Sequence, residues 1–348
     1  MTNPLSTTAA GDALLSNGVE PVKESGISQE NGQTQPPRIN STTATNPHPP
    51  QSPAQAQECH ELHEEHSQPP LSTVIARLHE QVTSFLSEPH DASSILYRVQ
   101  NQTRISLSVI HESLKRFSLH ELSLSYNGGK DCLVMLILFL ASLHPLPTTE
   151  TVLKDGETTP PPTTIPAIYA QPHHPFRSVE EFVASSSHAY HLSLVRYTTN
   201  PPRSTLRSAF ASYLSLHPQI RAIFVGTRRT DPHGEKLTHF DRTDHGWPDF
   251  VRIHPVIDWH YAEIWAFIRH LGIEYCPLYD DGYTSLGGTN DTHPNPKLKI
   301  ISKPNSSDGQ VQHSSSSSSY TTAHGGKASY RPAYELMDDD EERLGRDW

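Results

Sequence analysis

The sequence predicts an α/β fold: a mostly parallel, twisted sheet with helices on both faces. Three observations carry that expectation. Short apolar runs at Glu121–Ser125, Ile165–Tyr169, His191–Tyr197, Ala222–Gly226 and Phe250–Ile257 alternate with helical stretches. A glycine pair follows the first run and opens a helix, as loops at the carboxyl ends of parallel strands do. The run Leu133–Leu143 is apolar on all sides, which marks a helix buried between layers.

Taken in order, residues 1–70 are rich in Pro, Thr, Ser, Gln and Asn and read as a disordered tail. Near its end CHELHEEHSQ brings His60, His63 and His66 close together; a solvated charged segment is favoured over a metal site. From Leu71 the pattern turns helical. Val74, Ile75, Leu78, Val82, Phe85 and Leu86 recur on one face until Glu88-Pro89 ends them. A second helix is expected over 94–117, with Ile95, Leu96, Val99, Ile105, Val109 and Ile110 apolar. These two make a helical N-terminal addition to a single domain over 71–348. Flexible insertions are expected at 145–165, rich in Pro and Thr, and at 302–328, which contains Ser314–Ser319. Further helices are expected near 178–188 and 204–217. Another should follow Asp258 as N-cap and bury Tyr261, Ile264, Trp265, Ile268 and Leu271. The closing RPAYELMDDDEERLGRDW is charged but varied, and is expected to be ordered against the domain.

Composition narrows the function. A formal charge of −11 argues against a general nucleic-acid binder, which would be basic. Three cysteines (Cys59, Cys132, Cys276) without CxxC spacing argue against a thiolate zinc site and a secreted disulfide scaffold. The N-terminus has no signal-peptide pattern. The longest apolar run, LVMLILFLASL, has eleven residues, short of the roughly 18–20 of a membrane helix. A cytoplasmic monomer with no nucleic-acid or membrane partner is expected.

The chemistry concentrates in SYNGGKDC, Ser125–Cys132. Gly128 and Gly129 let backbone approach a phosphate, the following helix directs free N–H groups and its dipole at the anion, and Lys130 adds a full charge. A Walker A loop needs a different spacing. Asp131 directly after the lysine suggests a bound cation, or contact with a ribose or base.

SYNGGKDC resembles the pyrophosphatase-loop motif SGGKDS of enzymes that cut ATP between its α and β phosphates, with Asn127 and Cys132 in place of hydroxyl residues. In this form it resembles the loop of the fungal-type, PAPS reductase-like FAD synthases. Four further segments agree in order. GTRRTDPHG (Gly226–Gly234) is similar to the family's GxRxTDPxG. TDHGWPDFVRIHPVIDW (Thr243–Trp259), YCPLYDDGYTSLGGTNDTHPNP (Tyr275–Pro296) and RPAYELMDDDEERLGR (Arg331–Arg346) are similar to its later motifs. The matches cover about the last two thirds of the chain.

The resemblance implies a Rossmann-like fold of the adenine nucleotide alpha hydrolase type. It also implies transfer of AMP from ATP to FMN with Mg2+, FMN being supplied by a riboflavin kinase on a separate protein. By the same resemblance Ser125, Tyr126, Asn127, Gly128, Gly129, Lys130, Asp131, Gly226 and Arg228 would hold ATP. Asp131 and Asp231 would hold the metal. Asp244, Trp247, Arg252, Tyr283, Thr284, Ser285 and Arg346 would line the FMN site, and Asp231, Asp131, Asn127 and Arg343 would serve the reaction. Of Arg228 and Arg229, one should face phosphate and the other solvent. Arg343 and Arg346 are expected to share one face of a short helix, with Asp338–Glu342 as rival partners. Two alternatives remain beside this reading: a sulfonucleotide reductase, and a catalytically silent flavin- or nucleotide-binding relative. The reductases carry a cysteine where this chain has Gly288, and no cysteine follows Cys276. A thiol reductase cannot work without a thiolate. Cys132 and Cys276 are then expected as buried structural thiols.

Overall fold

The computed structural model describes residues 68–146, 151–152, 158–199, 204–300 and 329–347. The expected 302–328 insertion and all but the end of the 1–70 tail, with Cys59 and the His60–His66 cluster, lie outside the described residues.

A six-stranded sheet organises the domain in the order β5 (Leu192–Thr198), β4 (Ile165–Gln171), β1 (Leu122–Ser125), β6 (Ala222–Phe224), β8 (Val251–Ile253) and β7 (Phe240–Arg242). All pairs are parallel except β7–β8. Leu124 of β1 sits in register with Ala167 on one side and Phe224 on the other. The chain moves from β1 out to β4 and β5, then returns to β6 on β1's other side. That reversal opens a crevice at the carboxyl ends of β1 and β6, where open α/β sheets bind ligands.

One face of the sheet carries α3 (Lys130–Ser142) and α4 (Arg177–Ala189), with α6 (Tyr261–His270). Leu133–Ala141 of α3 are buried all round, because α1 (Leu71–Ser87) and α2 (Ile95–Arg116) cover its outer side while the sheet covers its inner side. The helical addition is therefore a third layer that makes α3 a core helix. The other face is covered by α5 (Leu206–Leu216), whose Phe210 and Tyr213 pack on Ile168, Ile223 and Phe250. Within the 145–165 insertion, β2 (Thr151–Val152) and β3 (Thr158–Thr159) form a short antiparallel pair.

The expected helices and the parallel strands are present, with informative departures. α3 begins at Lys130, three residues before its apolar run, so Lys130 and Asp131 stand in its first turn. The expected strand at Phe250–Ile257 contracts to Val251–Ile253, since Pro255 brings no N–H to a ladder. β7 was not expected: three residues with a polar majority on a sheet edge give no alternation signal. Ile105 is 43% exposed, and Gln100, Thr103, Ser106 and Ser113 share the buried face of α2 instead. Gln100 and Ser106 are satisfied there by main-chain carbonyls of Phe85 and Pro255. Asp258 is not the cap of α6. It pairs with Arg229 at 2.6 Å, and the Tyr261 N–H instead donates to Asp339 Oδ1 at 2.6 Å. Tyr261, Ile264, Trp265, Ile268 and Leu271 are buried as expected.

Candidate active site

Two loops meet at the crevice. In the loop after β1, Asn127 Oδ1 accepts the Gly129 N–H at 2.9 Å, a local turn that sets up α3. Gly128 has φ +74°, and a Cβ there would lie 2.8 Å from Val183 Cγ2, so both conformation and space demand glycine. The Lys130 N–H donates to the Tyr279 hydroxyl at 2.9 Å, which occupies one of the free donors at the helix start. Tyr126 is fully buried on Ser186 at 2.8 Å, so it supports the loop from beneath.

The second loop follows β6. Gly226 packs on Cys132: a Cβ would come within 2.7 Å of its Sγ, so this glycine closes one loop on the other. Arg228 is fully buried and turns into the crevice, while Arg229 turns outward to Asp258. The Arg228 N–H donates to Asp231 Oδ2 at 2.8 Å, which folds the RRTD turn onto itself.

The tail supplies the third side. Glu342 is buried and bonds both Lys130 Nζ and Arg228 Nη2. Lys130 Nζ also reaches Asp131 Oδ2 at 3.0 Å, and Arg228 Nε stands 2.8 Å from Asp131 Oδ1. Arg228 Nη1 lies 3.2 Å from Asp339, and Arg343 Nη1 4.0 Å from Asp231 Oδ1. The tail is held by Asn295, whose amide donates to the Thr284 hydroxyl at 3.0 Å and to the Glu341 carbonyl at 2.7 Å. Thr284 in turn bonds the Glu342 carbonyl.

The electrostatics follow from this packing. Burial alone would raise Asp131, but Lys130 and Arg228 outweigh it and hold its carboxyl below the usual range. Burial would likewise weaken the Lys130 ammonium, but Asp131 and Glu342 hold it above its usual value. Asp231 goes the other way. Burial, with Glu342 and Asp131 near it, pushes its carboxyl up to about 6 despite Arg228. Three cations (Lys130, Arg228, Arg343) here face four carboxylates (Asp131, Asp231, Asp339, Glu342). A polyphosphate entering this crevice therefore needs added positive charge. The donor set fits Mg2+ in its usual manner, one or two carboxylates with substrate oxygens completing the shell. Asp231 Oδ1 is the fitting oxygen, with its nearest cations at 3.8 and 4.0 Å, whereas both Asp131 oxygens already face cations.

Not every expected residue joins this cluster. Arg343 lies in a turn and Arg346 in an isolated antiparallel bridge with Thr292, not on one helix, so they diverge: Arg343 approaches Asp231, and buried Arg346 lies against Gly287 and pairs with Asp291 at 3.4 Å. Thr284 and Ser285 are buried beside the tail, and Tyr283 meets Phe176 edge-on. Asp244, Trp247 and Arg252 form a separate group at the β7–β8 edge. Trp247 packs edge-on against Phe210, Asp244 is exposed beside His245, and Arg252 is buried with one bond, to the Arg242 carbonyl at 3.1 Å. Their described hydrogen bonds and ion pairs do not reach the Lys130 cluster. Sequence reasoning passed over Glu342, Asp339, Tyr279 and Asn295. All four stand in motif segments, yet in the sequence the acids read only as competitors for the nearby arginines. Both described cysteines are buried, and burial pushes Cys132 up to about 12 and Cys276 to about 11, so neither is a ready thiolate.

The chain is similar to known proteins in sequence and fold. Residues 121–294 match the model of the phosphoadenosine phosphosulfate reductase domain. The probable FAD synthase of Schizosaccharomyces pombe is 34% identical over 273 residues, 78% of this chain and 88% of its own length. The crystal structure of Candida glabrata FMN adenylyltransferase with FAD and inorganic pyrophosphate superposes with a TM-score of 0.67 at 29% identity, covering 80% of this chain and 98% of that one. The same enzyme with FMN and an ATP analogue gives 0.66 at the same identity and coverage. With the crevice built from the loop and tail segments that carry the resemblance, this chain belongs to the FAD synthase family.

Proposed function

We propose that this protein is an FMN adenylyltransferase that makes FAD and pyrophosphate from FMN and ATP. The observation that carries the reading is the meeting of the NGGKD loop and the RRTD loop at the sheet's crevice, with a buried lysine and arginine between them. A terminal phosphate is a competent nucleophile near neutral pH, so the step needs no covalent enzyme intermediate. An FMN phosphate oxygen forms the new bond to the α-phosphorus of ATP, the α–β bridging P–O bond breaks, and pyrophosphate leaves with the electron pair. The protein's work is to align two anions and to neutralise charge moving onto the leaving group.

On this reading Gly128, Gly129 and the first turn of α3 take the ATP phosphates, and Lys130 and Arg228 face the leaving group. Glu342 holds both cations in place, and Arg343 adds a third beside Asp231. Mg2+ would be held by Asp231 and would supply charge neutralisation across the phosphates. Asp131 acts here through its ion pairs with Lys130 and Arg228. Arg252 offers buried N–H groups to FMN at the β7–β8 edge, and Arg346 serves beside Gly287 and Asp291. The protein is further taken as a cytoplasmic monomer, fed by a separate riboflavin kinase.

The test is to mix purified protein with FMN, ATP and Mg2+ and follow FAD by chromatography alongside pyrophosphate. One pyrophosphate per FAD, with product lost in Asp231→Ala, supports the reaction and the site. FMN binding without either product would overturn the reaction.

A further inference from the structure

On the face of the helical addition away from the crevice, Glu88, His90 and His270 converge. Glu88 caps the end of α1, His90 lies two residues on in the turn to α2, and His270 closes α6. His90 Nε2 is 3.0 Å and His270 Nε2 2.7 Å from the same carboxylate oxygen, Glu88 Oε2. All three ligand atoms lie within 4.8 Å of one another, the one group of three such residues with this geometry among the described residues. The setting is built. Gln100 is buried and donates to the Phe85 carbonyl at 2.7 Å and the Glu88 carbonyl at 2.9 Å, which fixes the backbone that carries Glu88. Phe85 supports both rings, 6.3 Å from His90 and 5.2 Å from His270.

We infer that Glu88, His90 and His270 form a binding site for Zn2+. Two imidazoles and one carboxylate suit a borderline cation, and the imidazoles discriminate against Mg2+ and Ca2+. In a tetrahedral zinc shell with ligands near 2.0–2.1 Å, neighbouring donor atoms stand about 3.3 Å apart. The two observed separations from Glu88, 3.0 and 2.7 Å, need to open by about 0.3 and 0.6 Å, and the two imidazole nitrogens already lie within 4.8 Å of each other. Three protein ligands leave a fourth position for water. The site also sits at the carboxyl end of α6, where the helix dipole favours a cation. The other end of α6 touches Asp339 of the crevice, so the ion lies on the order of 15 Å from the reacting groups at 1.5 Å per residue. Its role is a clasp that ties the α1–α2 turn to α6, outside the chemistry.

Full-length protein, stripped with chelator and dialysed, is titrated with ZnCl2 by calorimetry and melted with and without the ion. The His60→Ala/His63→Ala/His66→Ala protein is run in parallel to remove the tail's clustered histidines from the reading. Zinc should bind this tail variant with one equivalent and raise its Tm by about 5 °C at a hundredfold excess over Kd. Adding His270→Gln, which preserves size and a hydrogen-bonding amide, should weaken binding at least about tenfold and remove the Tm shift. Adding His90→Ala should do the same. Co2+ titration should give the intense visible bands of a tetrahedral site in the tail variant and not after His270→Gln. Absence of zinc binding to the tail variant, or equal binding with and without His270→Gln, would overturn the site.

Discussion

Two buried arginines, Arg228 and Arg252, show opposite solutions to one problem. A guanidinium taken out of water must recover its hydration from the protein or from something bound. Arg228 is fully buried among Asp131, Asp231, Asp339 and Glu342, and they hold its charge more firmly than water would, despite burial. Arg252 is nearly as buried but makes one hydrogen bond, to a carbonyl. Its Nε and Nη1 have no hydrogen-bond partner among the described residues, and burial pulls its pKa down with Asp241 and Asp244 compensating only in part. His254 beside it is fully buried and pushed down to about 3 by burial, with Arg252 adding to the effect. The first site surrounds its guanidinium with carboxylates, although the 2.8 Å contact of Arg228 Nε with Asp131 Oδ1 is an ion pair without hydrogen-bond geometry. The second carries donors whose natural counterpart is an anionic or acceptor-rich ligand.

The largest expected effect comes from breaking the first site. Arg228→Ala leaves four carboxylates around an emptied position and should cost about 3–5 kcal/mol, read by urea unfolding, together with all measurable FAD formation. Retained stability would mean that the acids are neutral or wet, and the contrast between the arginines would fall. Asp231→Asn should lower kcat by about a hundredfold at near-native stability. It should also alter the pH profile. Folded Asp231 keeps its proton up to about pH 6, whereas an unfolded aspartate loses it near pH 4. The folded state thus binds more protons between these values. This group's contribution to stability is full below about pH 4 and is lost as pH rises through 6. Denaturation between pH 4 and 7 should show that decline in the wild type and a flatter curve in Asp231→Asn.

Arg252→Met sharpens the other side. Removing a buried, under-bonded charge should leave Tm unchanged or raised, increase KM for FMN about tenfold by loss of a charge-assisted contact, and leave KM for ATP alone. A rise in KM for ATP of the same size would move Arg252 into the nucleotide site. Deleting residues 1–68 should have the smallest effect, with turnover within a few-fold of the full chain. A collapse of turnover would place part of the catalytic apparatus in that tail.

Much of the fold was legible because its signals are local. The all-apolar Leu133–Leu143, the one-sided α1 and the alternation of short strands with helices each declare their burial within a few residues. β7 was invisible because a three-residue edge strand needs β8 beside it to exist at all. The caps were misjudged for a related reason: Asp258 has the right chemistry for α6, but Asp339, some eighty residues on, reaches the Tyr261 N–H first.

By itself the sequence determined the fold class, the phosphate-type loop and the family. Those depend on residue types at fixed spacing, and the chain carries spacing with it. Tertiary structure alone decided which of Arg228 and Arg229 enters the crevice, that Arg343 and Arg346 diverge, and that Glu342 joins Lys130 to Arg228. It also parted Asp131, held ionised by two cations, from Asp231, pushed toward neutrality. Each of these depends on burial and on partners distant along the chain, and a charge acquires its strength from what surrounds it once water has been excluded.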